Sequence, residues 1–214
     1  MEEQRDPNHP HICTIERVVD ETPTVRTLYF NDPVLANVKP GQFAMVWIPG
    51  VNELPMSVMP GRGKGKSRSY WKAEAGFTVR KRGESSTALY SLKVGDKIGV
   101  RGPYGNSFAT ENIRVLNEAK ILLIGGGTGL VPLMRYLDHL VNPAVKNVSS
   151  ITLLMGSKTK DEVFFEETAK EFVYSKTKLT VISVTEDGSY GEKGYVTDVL
   201  EKLLEENKYD AIYT

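Results

Sequence analysis

Ile121-Leu122-Leu123-Ile124-Gly125-Gly126-Gly127-Thr128-Gly129-Leu130-Val131-Pro132 is the stretch that decides the fold. Four consecutive branched apolar residues describe a strand buried on both faces, and the glycines after it let the backbone turn directly into a helix. Without Cβ atoms such a loop brings its amides close to a pyrophosphate at the positive end of the helix dipole. The spacing departs from Gly-x-Gly-x-x-Gly, because Gly125, Gly127 and Leu130 stand in the three glycine places. Two readings stay open: a dinucleotide loop formed by Gly125, Gly126, Gly127, Thr128, Gly129 and Pro132, or a tight strand-to-helix turn.

Downstream, strands and helices alternate. Leu133, Leu137 and Leu140 recur at helical spacing, predicting a helix over Leu130 to Leu140. Ile151 to Met155 forms a second buried strand, and Phe165, Ala169, Phe172 and Val173 predict a helix over Lys160 to Tyr174. Leu179 to Val184 makes a third strand. Thr197 is an expected N-cap for a helix with the stripe Val196, Leu200, Leu203 and Leu204, and Asp198 suits its positive end. Tyr209 to Tyr213 begins a fourth strand. Strands alternating with helices specify a parallel sheet.

Upstream, from Ile12 to about Val100, the apolar runs are short and strand-like. Turn residues such as Asp32-Pro33, Lys39-Pro40-Gly41, Pro49-Gly50 and Val94-Gly95-Asp96 separate them. Gly41 to Ile48 is apolar in both alternating sets, as expected of a strand covered on both sides, and Ser85 to Leu92 is the one helical turn expected here. This half is a barrel or sandwich. The polar stretch Thr110 to Glu118 is the expected boundary, giving a β domain over 1–114 and an α/β domain over 115–214.

Composition narrows the function. Basic and acidic residues balance at 27 each, so no net field favours nucleic acid or an anionic membrane. No apolar run approaches the ~20 residues that span a bilayer, and the amino terminus lacks a signal-peptide profile, so the expectation is a soluble cytoplasmic protein. Cys13 is the single cysteine, which leaves no disulfide and no cysteine-ligated cluster within these residues. Of three histidines, two are placed in a frayed amino terminus and His139 on a helix, so neither a metal cluster nor an acid–base triad is expected. Pro60-Gly61-Arg62-Gly63-Lys64-Gly65-Lys66-Ser67 ends like a phosphate-binding P-loop, but Pro60 replaces its first glycine and a strand rather than a helix follows. It is taken as a solvated basic loop able to meet an acidic partner.

An ordered set of short motifs carries a resemblance. It runs Pro40-Gly41-Gln42-Phe43, Leu54-Pro55-Met56-Ser57, Thr78-Val79-Arg80, Gly83, Ser85-Ser86, Gly95-Asp96 and Gly102 to Asn106, then Gly125 to Pro132, Gly156 to Glu162, and Asp187 to Gly191. In order and spacing, the set resembles the ferredoxin reductase-like flavoprotein family, nearest to the electron-transfer subunits of NAD-linked dihydroorotate dehydrogenases. That resemblance implies an antiparallel β-barrel holding FAD, followed by a parallel α/β domain holding NAD(H).

It further implies that Leu54, Pro55, Met56 and Ser57 line the flavin ring, with Ser57 near N5. Thr78, Val79 and Arg80 would hold the ribityl chain and phosphates, and Gly83, Ser85 and Ser86 the flavin pyrophosphate. The glycine loop and Asp187 would serve the dinucleotide. Leu54 stands where many relatives have arginine, which moves that charge to Arg80 and leaves FAD against FMN open. Lys158 and Lys160 against Asp161 and Glu162 leave NADH against NADPH nearly balanced, with the resemblance favouring NADH.

The family continues past the last strand with Cys-Gly-Pro and a cysteine-rich tail that ligates a [2Fe-2S] cluster. Here the last residue is Thr214, so a shortened chain without cluster ligands is expected. The implied activity is exchange of hydride between NAD(H) and flavin. Electrons then pass to or from an iron–sulfur centre and a catalytic dehydrogenase subunit in pyrimidine biosynthesis. The small subunit of an NADH, ferredoxin and NADP transhydrogenase, or of a sulfide dehydrogenase, fits the same pattern. A non-catalytic dinucleotide-sensing module is the alternative from another class.

Overall fold

The computed structural model describes residues 6–61, 73–108, 117–172 and 176–214. Two compact units divide the chain, Met1–Ser107 and Phe108–Thr214. The expected boundary falls mostly on residues 109–116, and most of the P-loop-like stretch on residues 62–72, both outside the described residues.

The first unit is a closed six-stranded antiparallel barrel. Its strands are β1 (His11–Thr22), β2 (Val25–Asn31), β3 (Phe43–Ile48), β4 (Asn52–Pro60), β5 (Glu74–Arg80) and β6 (Lys97–Tyr104). Around the barrel the order is β1-β2-β5-β4-β3-β6, and β6 closes on β1 through His11↔Val100 and Cys13↔Ile98. Alternation sorts the side chains: Cys13, Ile15, Leu28, Phe30, Val46, Val58, Phe77, Val79 and Ile98 point inward as one core. Phe30 and Phe77 meet with ring centroids 4.8 Å apart.

Among the described residues, two short helices attend the barrel. Helix α1 (Pro33–Ala36) begins where a turn was expected. Asp32 caps it, its carboxylate accepting from the amides of Val34 and Leu35, and Pro33 occupies the first helical position, where a missing N–H costs nothing. Helix α2 (Glu84–Ser91) lies where the sequence places a helical turn and buries Leu89 in the core. The expectation that β3 is covered on both faces is corrected: Ala44, Val46 and Ile48 are buried inward, whereas Trp47 on the outer face is 41% exposed. Trp47 lies over Gly99, where a Cβ would stand 2.7 Å from its ring.

The second unit is a five-stranded parallel sheet flanked by helices. Its strands are β7 (Ala119–Gly126), β8 (Val148–Ser157), β9 (Lys178–Thr185), β10 (Glu192–Lys193) and β11 (Ala211–Tyr213) in the order β10-β9-β8-β7-β11. Helix α3 (Leu130–Leu140) follows β7 over the residues its periodicity predicts, and buries Leu133, Leu137 and Leu140. Helix α4 (Glu166–Glu171) is much shorter than the helix expected over Lys160 to Tyr174. Phe165 adopts a left-handed φ of 72° and stops the helix from starting earlier, while Phe164 and Phe165 turn inward edge to face at 4.6 Å. Phe165, Ala169 and Phe172 are nevertheless buried as the stripe requires; Val173 lies outside the described residues.

Helix α5 (Val196–Glu206) begins one residue before the expected cap. Tyr195 is its N-cap, and Asp198 accepts the Tyr195 amide at 3.0 Å. Val196, Val199, Leu200 and Leu203 face the sheet, whereas Leu204 is exposed. β10, two residues long, has no counterpart in the sequence reading.

Candidate functional site

In the first unit, the residues expected to meet a flavin fall on two strands that part company. β4 pairs with β5 at Pro60↔Ala75, Met59↔Gly76 and Val58↔Phe77, and the ladder ends there. Continuing the same register would set Ser57 opposite Thr78, Met56 opposite Val79 and Pro55 opposite Arg80. These are the segments the sequence singles out. Each strand is held from its other side, β4 by β3 through Phe43↔Ser57 to Ile48↔Asn52, and β5 by β2 through Thr27↔Thr78 to Val25↔Arg80. Two fixed backbone edges thus face one another without closing, and edge amides and carbonyls of this kind suit a planar heterocycle with donors and acceptors on its rim.

The side chains divide unequally. Leu54 and Met56 are partly buried and pack against the barrel core, and Val79 is buried within it, so Val79 has only backbone to offer a ligand. Ser57 is half-buried on the outer side, and its hydroxyl makes no hydrogen bond among the described residues. Thr78 is buried and shares a hydrogen bond of 2.8 Å with the Thr27 hydroxyl. Arg80 ends β5, half-buried, and Lys81 and Arg82 follow it exposed. Gly83 is the N-cap of α2, with open space where a Cβ would stand. The Ser86 hydroxyl accepts from the amides of Arg82 and Gly83 at 3.1 and 2.9 Å, so it serves the helix cap. Ser85, half-buried beside it, keeps its hydroxyl uncommitted among the described residues. Backbone edges, the hydroxyls of Ser57 and Ser85, and a basic rim fit a flavin dinucleotide.

In the second unit, the glycines after β7 do different work. A Cβ on Gly125 would stand 2.8 Å from Leu133 Cδ1 and 3.0 Å from Leu130 Cδ2, so Gly125 lets α3 pack against the strand. On Gly126 a Cβ would stand 3.1 Å from the carbonyl oxygen of Gly156, its register partner on β8. Gly127 has φ 54°, which disfavours any side chain. Gly129 has ordinary helical dihedrals, φ −63° and ψ −17°, and nothing within 4 Å of the Cβ position. Among the described residues no atom accounts for that glycine, and the space beside its amide is open. Thr128 is half-buried beside it and Pro132 sits in the first turn of α3.

This loop lies where the sheet reverses its order. β8 is on one side of β7 and β11 on the other, both parallel to it, so the carboxyl end of β7 borders the switch point at which open α/β sheets take ligands. Asp187 follows β9. Its carboxylate accepts from the Ser189 amide at 3.0 Å and hydroxyl at 2.6 Å, bonds that hold it below the usual carboxylate range. Ser189 Oγ also accepts the Lys160 amide at 2.8 Å, which ties the loops after β8 and β9 together. Asp187 is thus engaged in shaping its own turn.

The sequence reading missed two arrangements. Arg101 donates to both carboxylate oxygens of Glu53, at 2.7 and 2.6 Å, and to Tyr104, which fixes the outer face of β3, β4 and β6. His11, expected in a frayed terminus, begins β1 and meets Cys13 and Asp32, and the alternation of His11 and Cys13 on one strand was the available signal.

The Oxidoreductase NAD-binding domain family matches residues 123–214. The probable dihydroorotate dehydrogenase B (NAD+) electron transfer subunit of Methanocella arvoryzae is 40% identical over 204 residues, which cover 95% of this chain and 67% of that protein. This chain belongs to the dihydroorotate dehydrogenase B electron transfer subunit family. The member from Methanocaldococcus jannaschii is 33% identical over 205 residues, covering 96% of this chain and 68% of its own. Against these family members the chain spans about two thirds of the length. A chain of the NADH-dependent reduced ferredoxin-NADP oxidoreductase shares the family's fold with a TM-score of 0.73 and 25% identity, covering 96% of this chain and 67% of that one.

Proposed function

We propose that this chain is the electron-transfer flavoprotein component of a two-component NAD-linked dehydrogenase, with FAD in the barrel unit and NAD(H) in the parallel-sheet unit. The observation that carries the reading is the open ladder between β4 and β5, which leaves Pro55–Ser57 and Thr78–Arg80 facing one another at the segments implied to hold a flavin. A bound flavin would supply hydride exchange with the nicotinamide and single-electron passage to or from an iron–sulfur centre; the protein's contribution is placement and tuning. Ser57 offers its hydroxyl at the ring. Arg80, Lys81 and Arg82 supply positive charge toward the pyrophosphate, in place of the arginine absent at Leu54. The Gly127–Gly129 turn offers its amides to the dinucleotide. The relatives' names support dihydroorotate oxidation as the partner's reaction, within pyrimidine biosynthesis, and a hetero-oligomer as the working state.

The test is a reconstitution. The purified chain, incubated with FAD and freed of excess, should retain about one flavin per chain and bleach on anaerobic addition of NADH. A folded chain that binds NADH but retains no flavin would overturn the reading in favour of a dinucleotide-sensing module. Co-purification from the native cell decides the partner: a dihydroorotate dehydrogenase catalytic chain supports the proposal, and a glutamate synthase-like chain replaces it with a transhydrogenase.

A further inference from the structure

We propose that His11, Cys13 and Asp32 form a binding site for one zinc-class divalent cation at one mouth of the barrel, away from the segments assigned to the flavin. His11 and Cys13 are two apart on β1 and so share a strand face, and Asp32 directly follows the end of the paired strand β2. The three donor atoms converge. His11 Nε2 is 2.5 Å from Asp32 Oδ2, Cys13 Sγ is 3.3 Å from His11 Nε2, and Cys13 Sγ is 3.9 Å from Asp32 Oδ2. Ligands of a tetrahedral zinc ion, bound at about 2.0 Å for nitrogen and oxygen and about 2.3 Å for sulfur, stand roughly 3.3 to 3.6 Å apart. To admit the ion, the His11–Asp32 contact has to open by under about 1 Å and the Cys13–Asp32 distance to close by about 0.4 Å.

Charge and burial point the same way. Cys13 and Asp32 are 5% and 2% exposed, so a thiolate and a carboxylate would share a site nearly out of water, and a divalent cation neutralises both. The carboxylate is already aimed: its Oδ1 accepts the Val34 and Leu35 amides at 3.0 Å each, which directs Oδ2 toward His11 and Cys13. This is the outer-shell support that metal-binding carboxylates need. The His11 side chain, 34% exposed, gives the ion a path from solvent and room for a water as fourth ligand. One nitrogen, one sulfur and one oxygen select the zinc class over magnesium or calcium, which take oxygen ligands. Bound there, the ion would pin the start of β1 to the junction of β2 and α1.

Cobalt(II) is the probe, because its bond to a thiolate gives a charge-transfer band and Cys13 is the only cysteine of the chain. Chelator-treated protein titrated with Co2+ should develop that band up to one equivalent and lose it on addition of Zn2+. Cys13→Ser should abolish the band. Asp32→Asn, whose amide keeps the N-cap bonds, should weaken binding at least tenfold with the barrel's circular dichroism unchanged, a loss no smaller than outer-shell substitutions produce. Folded protein that gives no band at saturating Co2+, or an Asp32→Asn variant that binds as tightly as the parent, would show a purely hydrogen-bonded cluster and overturn the site. Neither result depends on flavin or NADH.

Discussion

Val196, in the first turn of α5, lies against the bare Cα of Gly156 at the carboxyl end of β8, and a Cβ on that glycine would run into the valine's Cγ2 methyl. Valine is stiff at χ1 in a helix, so the methyl has little room to swing away. Gly156→Ala should therefore destabilise the second unit by about 1–3 kcal/mol. The double variant with Val196→Ala should recover most of that loss, which urea unfolding of the four proteins of the cycle would show.

The glycine loop separates stability from binding. Gly125→Ala should lower stability through Leu133 and Leu130. Gly129→Ala should leave stability unchanged or raise it by roughly 0.4–1 kcal/mol, because its dihedrals suit alanine. The added methyl would stand where the pyrophosphate is proposed, so Gly129→Ala should weaken NADH binding by tenfold or more, about 1.4 kcal/mol. Thermal melts and NADH titration, run side by side, check both. Unweakened NADH binding in Gly129→Ala would move the dinucleotide elsewhere.

Ser57 tests the flavin placement. Its hydroxyl is uncommitted among the described residues and sits on the outer side of β4, so Ser57→Ala should fold normally and keep its flavin. The rate of flavin reduction by NADH should change severalfold, since a hydrogen bond near the ring's reactive nitrogen tunes its electronics. Stopped-flow reduction under anaerobic conditions is the measurement, and an unchanged rate with unchanged retention would remove Ser57 from the ring.

Acid should loosen the outer face of the barrel. The hydrogen bonds from Arg101 hold the Glu53 carboxyl below its ordinary 4.5. A carboxylate whose pKa falls on folding contributes stability that is complete above the ordinary value and is lost as pH drops through the lowered one. Stability should thus decline below about pH 4.5, and Glu53→Gln should make that decline shallower. Denaturation midpoints of both proteins across the acid range would show it, and parallel curves would mean that the pair contributes nothing measurable.

Much of this architecture was legible in the sequence where one local rule governed. The run Ile121–Ile124, its glycines and the leucines of α3 gave strand, turn and helix together, because burial on both faces and helical spacing point the same way there. The rule failed where two demands competed. Phe165 satisfied the helical stripe, yet the inward packing of Phe164 and Phe165 put its backbone in the left-handed region and shortened α4. Asp32-Pro33 has the chemistry of a helix start as well as of a turn, and only the contacts of Leu35 with the barrel core choose between them. At the candidate sites, motif order singled out Leu54–Ser57 and Thr78–Arg80, but no single strand's pattern reveals where a ladder between two strands stops. Likewise the register of β1 and β2, Ile15 opposite Phe30, brings Cys13 and its strand neighbour His11 toward Asp32 when continued, and neither strand displays that alone.

The closure of the barrel by β1 and β6 also sets the order of events on a ribosome. In the sheet, β7 and β8 are joined by one helix and can pair soon after both emerge. β1 instead meets its final partner only when residues 97–100 are available, so the barrel's first strand is among the last to have both edges satisfied. Such distant pairing raises contact order and places this unit toward the millisecond-to-second end of folding times. Until then, β1, with the exposed Ile12 upon it, presents a free edge to strand pairing with a neighbour.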